Sequence, residues 1–584
     1  MRVLRCCGGM LMVYIRALVV AVLLFVVSGS AVRSDFLMAR YDASQTGNTS
    51  EKIQLPLALS WEYVGNKFEN NPASPVVAGN TAVFACGDRV YGVDLTTGSL
   101  KWRYPSDQGL GGSVKATPAI YGDNVYFGAG ENLYCINLQT GTFRWAYQTR
   151  GSIRCPPVIV DGIIYFGCDD NSLYAIRADS GEAAWKPFVV RDDIAIGIAV
   201  GAGMVVVSCM DGNVYGITAS TGKLRWQPFR LPAAPTDTSP VISENVAIVA
   251  VANTMYGLSA RSGQLRWMVQ LPAEVAATPA VLGYDVYVPC RDKKIYAYST
   301  TGRQPALKWA APADLGSNPM SSPVIAGDLL WVTGSKGVIA AFSLVDGSLK
   351  WRYVAAPSIV TTPTSLYCDA ASSPTISNGA LLVLTDDGVL HCFTPDAPDH
   401  VPPGMFNIMP ANGTRMSGAP PIKISAVLYD IGSGIDPSSV TMALDGQPVD
   451  TKDKSLFDIA TGTASYQTEM GGDGKQAVVL KDGVHTITIT AKDYAGNLLT
   501  KDWYIIADSS LPPPRRTAPA TEPGKKEKEP PKKTQPPATP PTPPSIPGPS
   551  TPPTPPGMEM PPPPPMPPAP GSGTPTPAPP PAGY

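Results

Sequence analysis

The sequence predicts an all-β chain in three parts: an eight-bladed β-propeller, a β-sandwich and a disordered proline-rich tail. Three observations carry this. Eight tryptophans, Trp61, Trp102, Trp145, Trp185, Trp226, Trp267, Trp309 and Trp351, recur every 40 to 43 residues, a period too short for a self-sufficient core and suited to stacked four-stranded blades. From about Pro403 that period gives way to short alternating strands. From 511 onward proline dominates. The expected boundaries are a leader over 1–31, the propeller over 32–402, the sandwich over 403–508 and the tail over 509–584.

The leader is read from its charges. Arg2, Arg5 and Arg16 precede an apolar run from Ala17 to Val27, and Ser28-Gly-Ser-Ala31 supplies small residues for cleavage, the pattern of an export signal. The mature chain is therefore expected to be periplasmic, extracellular or at the cell surface, without a membrane span. An uncleaved anchor starting near Met10 is the alternative, although the run falls short of the about 20 residues a span needs. Cys6 and Cys7 stand before the run, not behind it, so a lipid anchor is not expected. With 45 basic and 47 acidic residues, the chain lacks the electrostatic footprint of a nucleic-acid binder.

Each repeat reads as four strands. Asp161-Gly162, Asp211-Gly212 and Asn378-Gly379 have the chemistry of type I′ hairpins, whose central residues both need positive φ. Gly98, Gly141, Gly181, Gly222, Gly263 and Gly347 stand four residues before a tryptophan, where the third strand must reverse into the fourth. Pro75, Pro118, Pro157, Pro240, Pro279, Pro323 and Pro374 open the first strand of seven units. Proline is tolerated there because an innermost strand has an unpaired edge. Ile198 replaces it in blade four, which is expected to begin less regularly. The tryptophans are expected to dock blade on blade rather than to stack on a ligand. Trp61 has no blade before it and the last unit lacks a tryptophan, so the N-terminal strand is expected to complete blade eight.

Eight cysteines follow the leader, an even number in an exported chain. Most fill repeat slots for small residues. Cys86, Cys168, Cys209 and Cys290 share one slot with Ala129, Val251, Gly334 and Thr385; Cys135 and Cys392 share another with Gly92, Ala175, Gly216, Gly257, Ala297 and Ala341. Buried structural thiols are expected. One pair can bridge: the Asp161-Gly162 hairpin sets Cys155 opposite Cys168. His391, His400 and His485 are the only histidines and no Cys-x-x-Cys follows the leader, so a metal centre is not expected.

Tyr91-Gly-Val-Asp-Leu-Thr-Thr-Gly-Ser-Leu-Lys-Trp102 and Tyr215-Gly-Ile-Thr-Ala-Ser-Thr-Gly-Lys-Leu-Arg-Trp226 resemble the tryptophan-docking repeat of quinoprotein (PQQ-type) propellers, over about residues 40 to 400. That family includes PQQ-dependent alcohol dehydrogenases and non-enzymatic scaffolds of the BamB type. The dehydrogenase resemblance implies a quinone held between a tryptophan and a disulfide of adjacent cysteines, with calcium ligands and an aspartate base. Here the only adjacent cysteines are Cys6 and Cys7. The expectation is a non-catalytic, monomeric envelope scaffold without a cofactor, binding a protein or glycan partner; the alternative is a PQQ- and calcium-dependent alcohol or sugar dehydrogenase.

The partner is expected on the face that carries the connections after each tryptophan. Arg150, Arg154, Arg191, Asp192 and Asp193 belong to it, with Arg291 to Lys294; ordinary solvated loop charges are the plain alternative. In the C-terminal third, Asp430-Ile-Gly-Ser-Gly-Ile-Asp436 and Ala491-Lys-Asp-Tyr-Ala-Gly-Asn497 resemble immunoglobulin-like modules of bacterial surface proteins. Asp430, Asp436, Asp493 and Asn497 can gather around calcium, although turn formation is the favoured explanation. The tail cannot build a core and favours an extended conformation of about 3.1 Å per residue, a reach of roughly 200 Å.

Overall fold

A computed structural model describes residues 35–65, 73–194, 196–356, 368–449, 456–459, 461–468 and 478–513. The leader, and the tail beyond 513, lie outside them. Eight antiparallel sheets form the propeller. Blade 1 runs from Val76–Ala78 through Thr81–Cys86 and Arg89–Asp94 to Leu100–Tyr104. Blades 2 to 8 begin at Ala119–Tyr121, Val158–Val160, Ile198–Gly201, Val241–Ser243, Ala280–Leu282, Val324–Ala326 and Thr375–Ser377. The fourth strand of blade 8 is Ala58–Val64, which pairs antiparallel with Val389–Thr394 and sets Trp61 opposite Cys392. The ring thus closes with a strand from the other end of the domain.

Each of the seven prolines stands immediately before a three-residue innermost strand. Blade four corrects the expectation of irregularity. Ile198 can take part in a ladder that proline cannot enter, and the strand there is four residues long, paired from Ile198–Val207 to Gly201–Met204. Proline instead interrupts two outer strands. Pro187 follows Trp185 and Pro312 follows Trp309, and the outer strands there shrink to Phe188–Val189 and to the pieces Ala306–Leu307 and Ala313–Asp314.

Two of the three hairpins have positive φ at both central residues: Asp161 and Gly162 at 49° and 74°, Asn378 and Gly379 at 53° and 75°. The third differs, because only Gly212 is left-handed, at 77°. Asp211 keeps its ordinary conformation, and its carboxylate accepts the Asn213 N–H at 2.9 Å, a local bond that favours another turn.

Each tryptophan meets the next blade. The indole N–H groups of Trp61, Trp102, Trp185, Trp226 and Trp309 donate to the carbonyls of Leu95, Leu138, Ala219, Ala260 and Leu344, one blade onward, at 2.7–3.2 Å. Trp145 departs: Tyr126 donates to the corresponding carbonyl, that of Ala178, at 3.0 Å. A glycine of the following blade lies under six of the eight rings, those of Trp61, Trp102, Trp145, Trp185, Trp226 and Trp309; among the described residues, Trp267 and Trp351 have none. A Cβ on Gly263 would stand 2.3 Å from Trp226, and one on Gly98 would stand 2.6 Å from Trp61. The slot that Cys135 and Cys392 share with Gly92, Gly216, Gly257 and Ala341 lies directly opposite each blade's own tryptophan.

A segment not singled out in the sequence runs along the innermost strands of the ring. Phe36 exchanges both backbone bonds with Val77 of blade 1. The carbonyls of Leu37, Ala43, Ser44, Thr46 and Gly47 then accept the N–H groups of Ile120, Val200, Ile242, Val281 and Ile325, on blades 2, 4, 5, 6 and 7. Asn48–Thr49 finishes as a parallel strand on blade 7. The edge donors of six innermost strands are satisfied in this way. Buried Arg40 fastens the segment from within, donating to the carbonyls of Gln45, Thr278 and Pro279.

Beyond the ring, two sheets face each other. One orders Gly404–Met409, Lys423–Tyr429, Thr463–Gln467 and Phe457–Asp458; the other orders Thr414–Met416, Leu498–Ala507, Gly483–Lys492, Thr441–Leu444 and Gln447–Pro448. Ile424, Ala426 and Leu428 from one sheet pack with Ile487, Ile489 and Trp503 from the other, on the alternation read from the sequence. This sandwich docks on the outer strands of blades 7 and 8. Trp351 donates to Leu57 O and Ser433 O, at 3.2 and 3.1 Å, and Leu59 N donates to Gly432 O at 3.1 Å. Among the described residues, no helix is long and apolar enough to cross a membrane.

Candidate functional site

In each blade the turn between second and third strands shares a face with the connection leaving the outer strand. On blades 3, 4 and 6 an aspartate of that turn is held by a tyrosine four residues on. Tyr174, Tyr215 and Tyr296 donate to Asp170, Asp211 and Asp292 at 2.5, 2.6 and 2.7 Å. Burial first, then the aspartate acceptor, raises each phenol well above its ordinary range. These turns are thereby stiffened.

The sequence-predicted charges lie on this face and are partly brought together. Arg154 Nε donates to Asp169 Oδ2 at 2.7 Å, and its Nη2 lies 3.4 Å from Asp193 Oδ2. The backbone N–H of Arg150 reaches Asp170 at 3.3 Å. Desolvation, and then the charges of Asp169 and Asp192, raise the Asp193 carboxyl above its ordinary range. Arg150, Arg191 and Asp192 are exposed. Arg291 pairs with Asp237 at 3.0 Å and approaches Glu274 at 3.8 Å. Asp169 and Asp170 were missed, although an Asp-Asp-Asn run between strands signals a turn with outward carboxylates.

The mouth of the channel on this side carries hydroxyls just before the prolines. Thr117 Oγ1 accepts Ser74 N at 3.0 Å, Thr278 Oγ1 accepts Ser239 N at 2.8 Å, and Ser74 Oγ accepts Ser373 N at 3.0 Å. The girdle lapses at blades 3 and 4, where Pro156 and Gly197 stand instead.

The bridge expected between Cys155 and Cys168 is not formed; both are buried free thiols. Pro156 and Pro157 stop the ladder, whose pairing begins at Val158–Tyr165, so Cys155 lies beyond the paired strand. Burial pushes the Cys155 thiol up to about 12 and that of Cys168 up to about 11. Cys135, Cys209, Cys290, Cys368 and Cys392 are likewise buried free thiols, and Cys86 is buried too. No two of the eight are adjacent, and six of the eight ring tryptophans have a face on a glycine. The described residues therefore do not fit the quinone clamp that the dehydrogenase resemblance implies.

A second cluster lies at the junction with the sandwich. Carboxylate oxygens of Asp399, Asp430 and Asp493 fall within 4.8 Å of one another. Asn497, as expected, belongs here: its side chain donates to Asp493 Oδ2 at 2.8 Å and to Asp399 O at 3.1 Å. Asp436 does not, because it caps a short turn by accepting Ser438 N at 2.9 Å. Asp399 was missed, since it stands in the linker outside both motifs. Burial, opposed by the glycine N–H groups and reinforced by the neighbouring carboxylates, pushes Asp430 up to about 6.

Among solved structures the chain is similar to quinohemoprotein alcohol dehydrogenase ADHIIG from Pseudomonas putida HK5, at 13% identity, 65% of this chain, 83% of that chain and a TM-score of 0.51. It is similar to quinohemoprotein alcohol dehydrogenase from Comamonas testosteroni, at 14% identity, 68% and 84% coverage and a TM-score of 0.50. BamB from Moraxella catarrhalis matches at 17% identity, over 59% of this chain and 99% of that chain, with a TM-score of 0.46. At such identities the likeness shows the fold alone. No curated protein matches the chain. The profile described as "Outer membrane protein assembly factor BamB" matches residues 14–187 and 210–398, more than half of the chain, which therefore belongs to that PQQ-like propeller family.

Proposed function

We infer that the chain is an exported, non-catalytic scaffold of the cell envelope, whose turn face over blades 3 and 4 holds a protein or glycan partner. One observation supports this reading above the others. The charged set of Arg150, Arg154, Arg191, Asp192 and Asp193, with Asp169 paired to Arg154 beneath it, lies on the face of the turns between second and third strands, mounted on rigid turns. Loops on such a frame carry binding more often than the frame itself, and mixed charge favours a partner of complementary pattern. The family description, an outer membrane protein assembly factor, favours a protein over a glycan.

The test compares the full mature chain with an Arg150→Glu, Arg191→Glu variant and with Arg303→Glu, a control on the opposite face. After cross-linking in envelope extracts, a defined partner is expected with the wild type and the control and lost with the face variant. A partner set indifferent to the face variant contradicts the assignment. Mixing the protein with PQQ and calcium and following dye reduction by alcohols or sugars is expected to show no turnover; turnover would overturn the scaffold reading.

A further inference from the structure

We propose that Asp399, Asp430 and Asp493 hold one calcium ion at the junction between the propeller and the sandwich. The three carboxylates come from separate segments: the linker after the last blade, the end of strand Lys423–Tyr429, and the end of strand Gly483–Lys492. They converge within 4.8 Å. Two oxygens bound to one calcium at about 2.4 Å can stand no more than about 4.8 Å apart, so the set fits a single ion. The donors are all oxygen, which suits a hard cation and not zinc.

A second observation points to a ligand. Asp430 is 7% exposed. Its Oδ2 accepts the N–H groups of Gly432 and Gly434, at 3.0 and 2.7 Å, while its Oδ1 is buried with no hydrogen-bond partner. A buried carboxylate oxygen without a donor is costly, and none of the three carboxylates joins an ion pair among the described residues. A cation answers both deficits. The orienting bonds are in place: Asn497 N and Nδ2 hold the two oxygens of Asp493 at 2.8 Å each, and Ser433 N holds Asp399 Oδ2 at 2.8 Å. Such outer contacts fix the direction in which ligands point. The ion would tie the linker to the loop carrying Gly432 and Ser433, which docks on Leu59 and Trp351, and so lock the sandwich to the ring.

Calorimetric titration of the chelator-stripped mature chain tests this. One calcium per chain is expected, with a rise in unfolding temperature on binding and clearly weaker magnesium binding. Asp430→Asn and Asp399→Asn should each weaken calcium binding about tenfold or more, while Asp436→Asn, outside the cluster, should leave it within about twofold. Circular dichroism verifies that each variant is folded, and half-exposed Asp399 serves if Asp430→Asn is not. Absence of binding to the wild type, unchanged affinity in a folded variant of either aspartate, or equal affinity for magnesium overturns the assignment.

Discussion

Trp226 shows what one residue contributes to the ring. It is 7% exposed, donates to Ala260 O at 3.2 Å and lies on Gly263, so truncation removes apolar contact and a hydrogen bond together. Trp226→Ala should destabilise the chain by about 3–5 kcal/mol, measured as a lower urea midpoint. Trp226→Phe should cost less, since it keeps a ring against Gly263. A loss below about 1 kcal/mol for the alanine variant would contradict the docking role. The fit between indole and glycine explains why both recur with one period: neither side of the contact tolerates a change of shape. The thiols follow the same logic of space, filling slots where only a small side chain fits.

At the scale of the element, the closing strand carries a side-chain contact as well as its ladder. Buried His391 places Nδ1 2.8 Å from Glu62 Oε1, and this contact holds the Glu62 carboxyl below its ordinary range against the opposing effect of partial burial. A depressed carboxyl stabilises the fold fully above its unfolded value, about 4.3, and that contribution disappears as pH falls through the lower folded value. Melting temperature should therefore fall on acidification across that window, and Glu62→Gln should flatten that part of the curve; an identical pH profile for the two proteins would exclude the contribution. Strand content and ring closure were legible in the sequence because tryptophan, glycine and proline recur under one packing constraint. Segment 35–49 was not, because its contacts are backbone bonds to six blades and leave no side-chain period. Pro187 and Pro312 carried their message openly, but the docking tryptophans beside them masked it. Of the candidate site, Arg154 and Asp193 were legible as loop charges; Asp399 was not, because only the folded junction brings it to Asp430.

For the whole molecule, closure decides where function can reside. A ring whose innermost strands are bonded to residues 36–49, and whose outer strands at blades 7 and 8 are covered by the sandwich, leaves the turn face of the other blades as the charged surface on which the proposed partner would sit. This rests on Ala58–Val64 completing blade 8. Gly65 N donates to Gly388 O at 2.8 Å, so the adjacent pair, Val64 opposite Val389, is a non-hydrogen-bonded one, where side chains approach closely enough for a disulfide. The most direct measurement is oxidation of a Val64→Cys, Val389→Cys variant followed by peptide mapping. The closed eight-bladed ring predicts an intramolecular bridge joining positions 64 and 389; both thiols left free, or bridged only between chains, would contradict it.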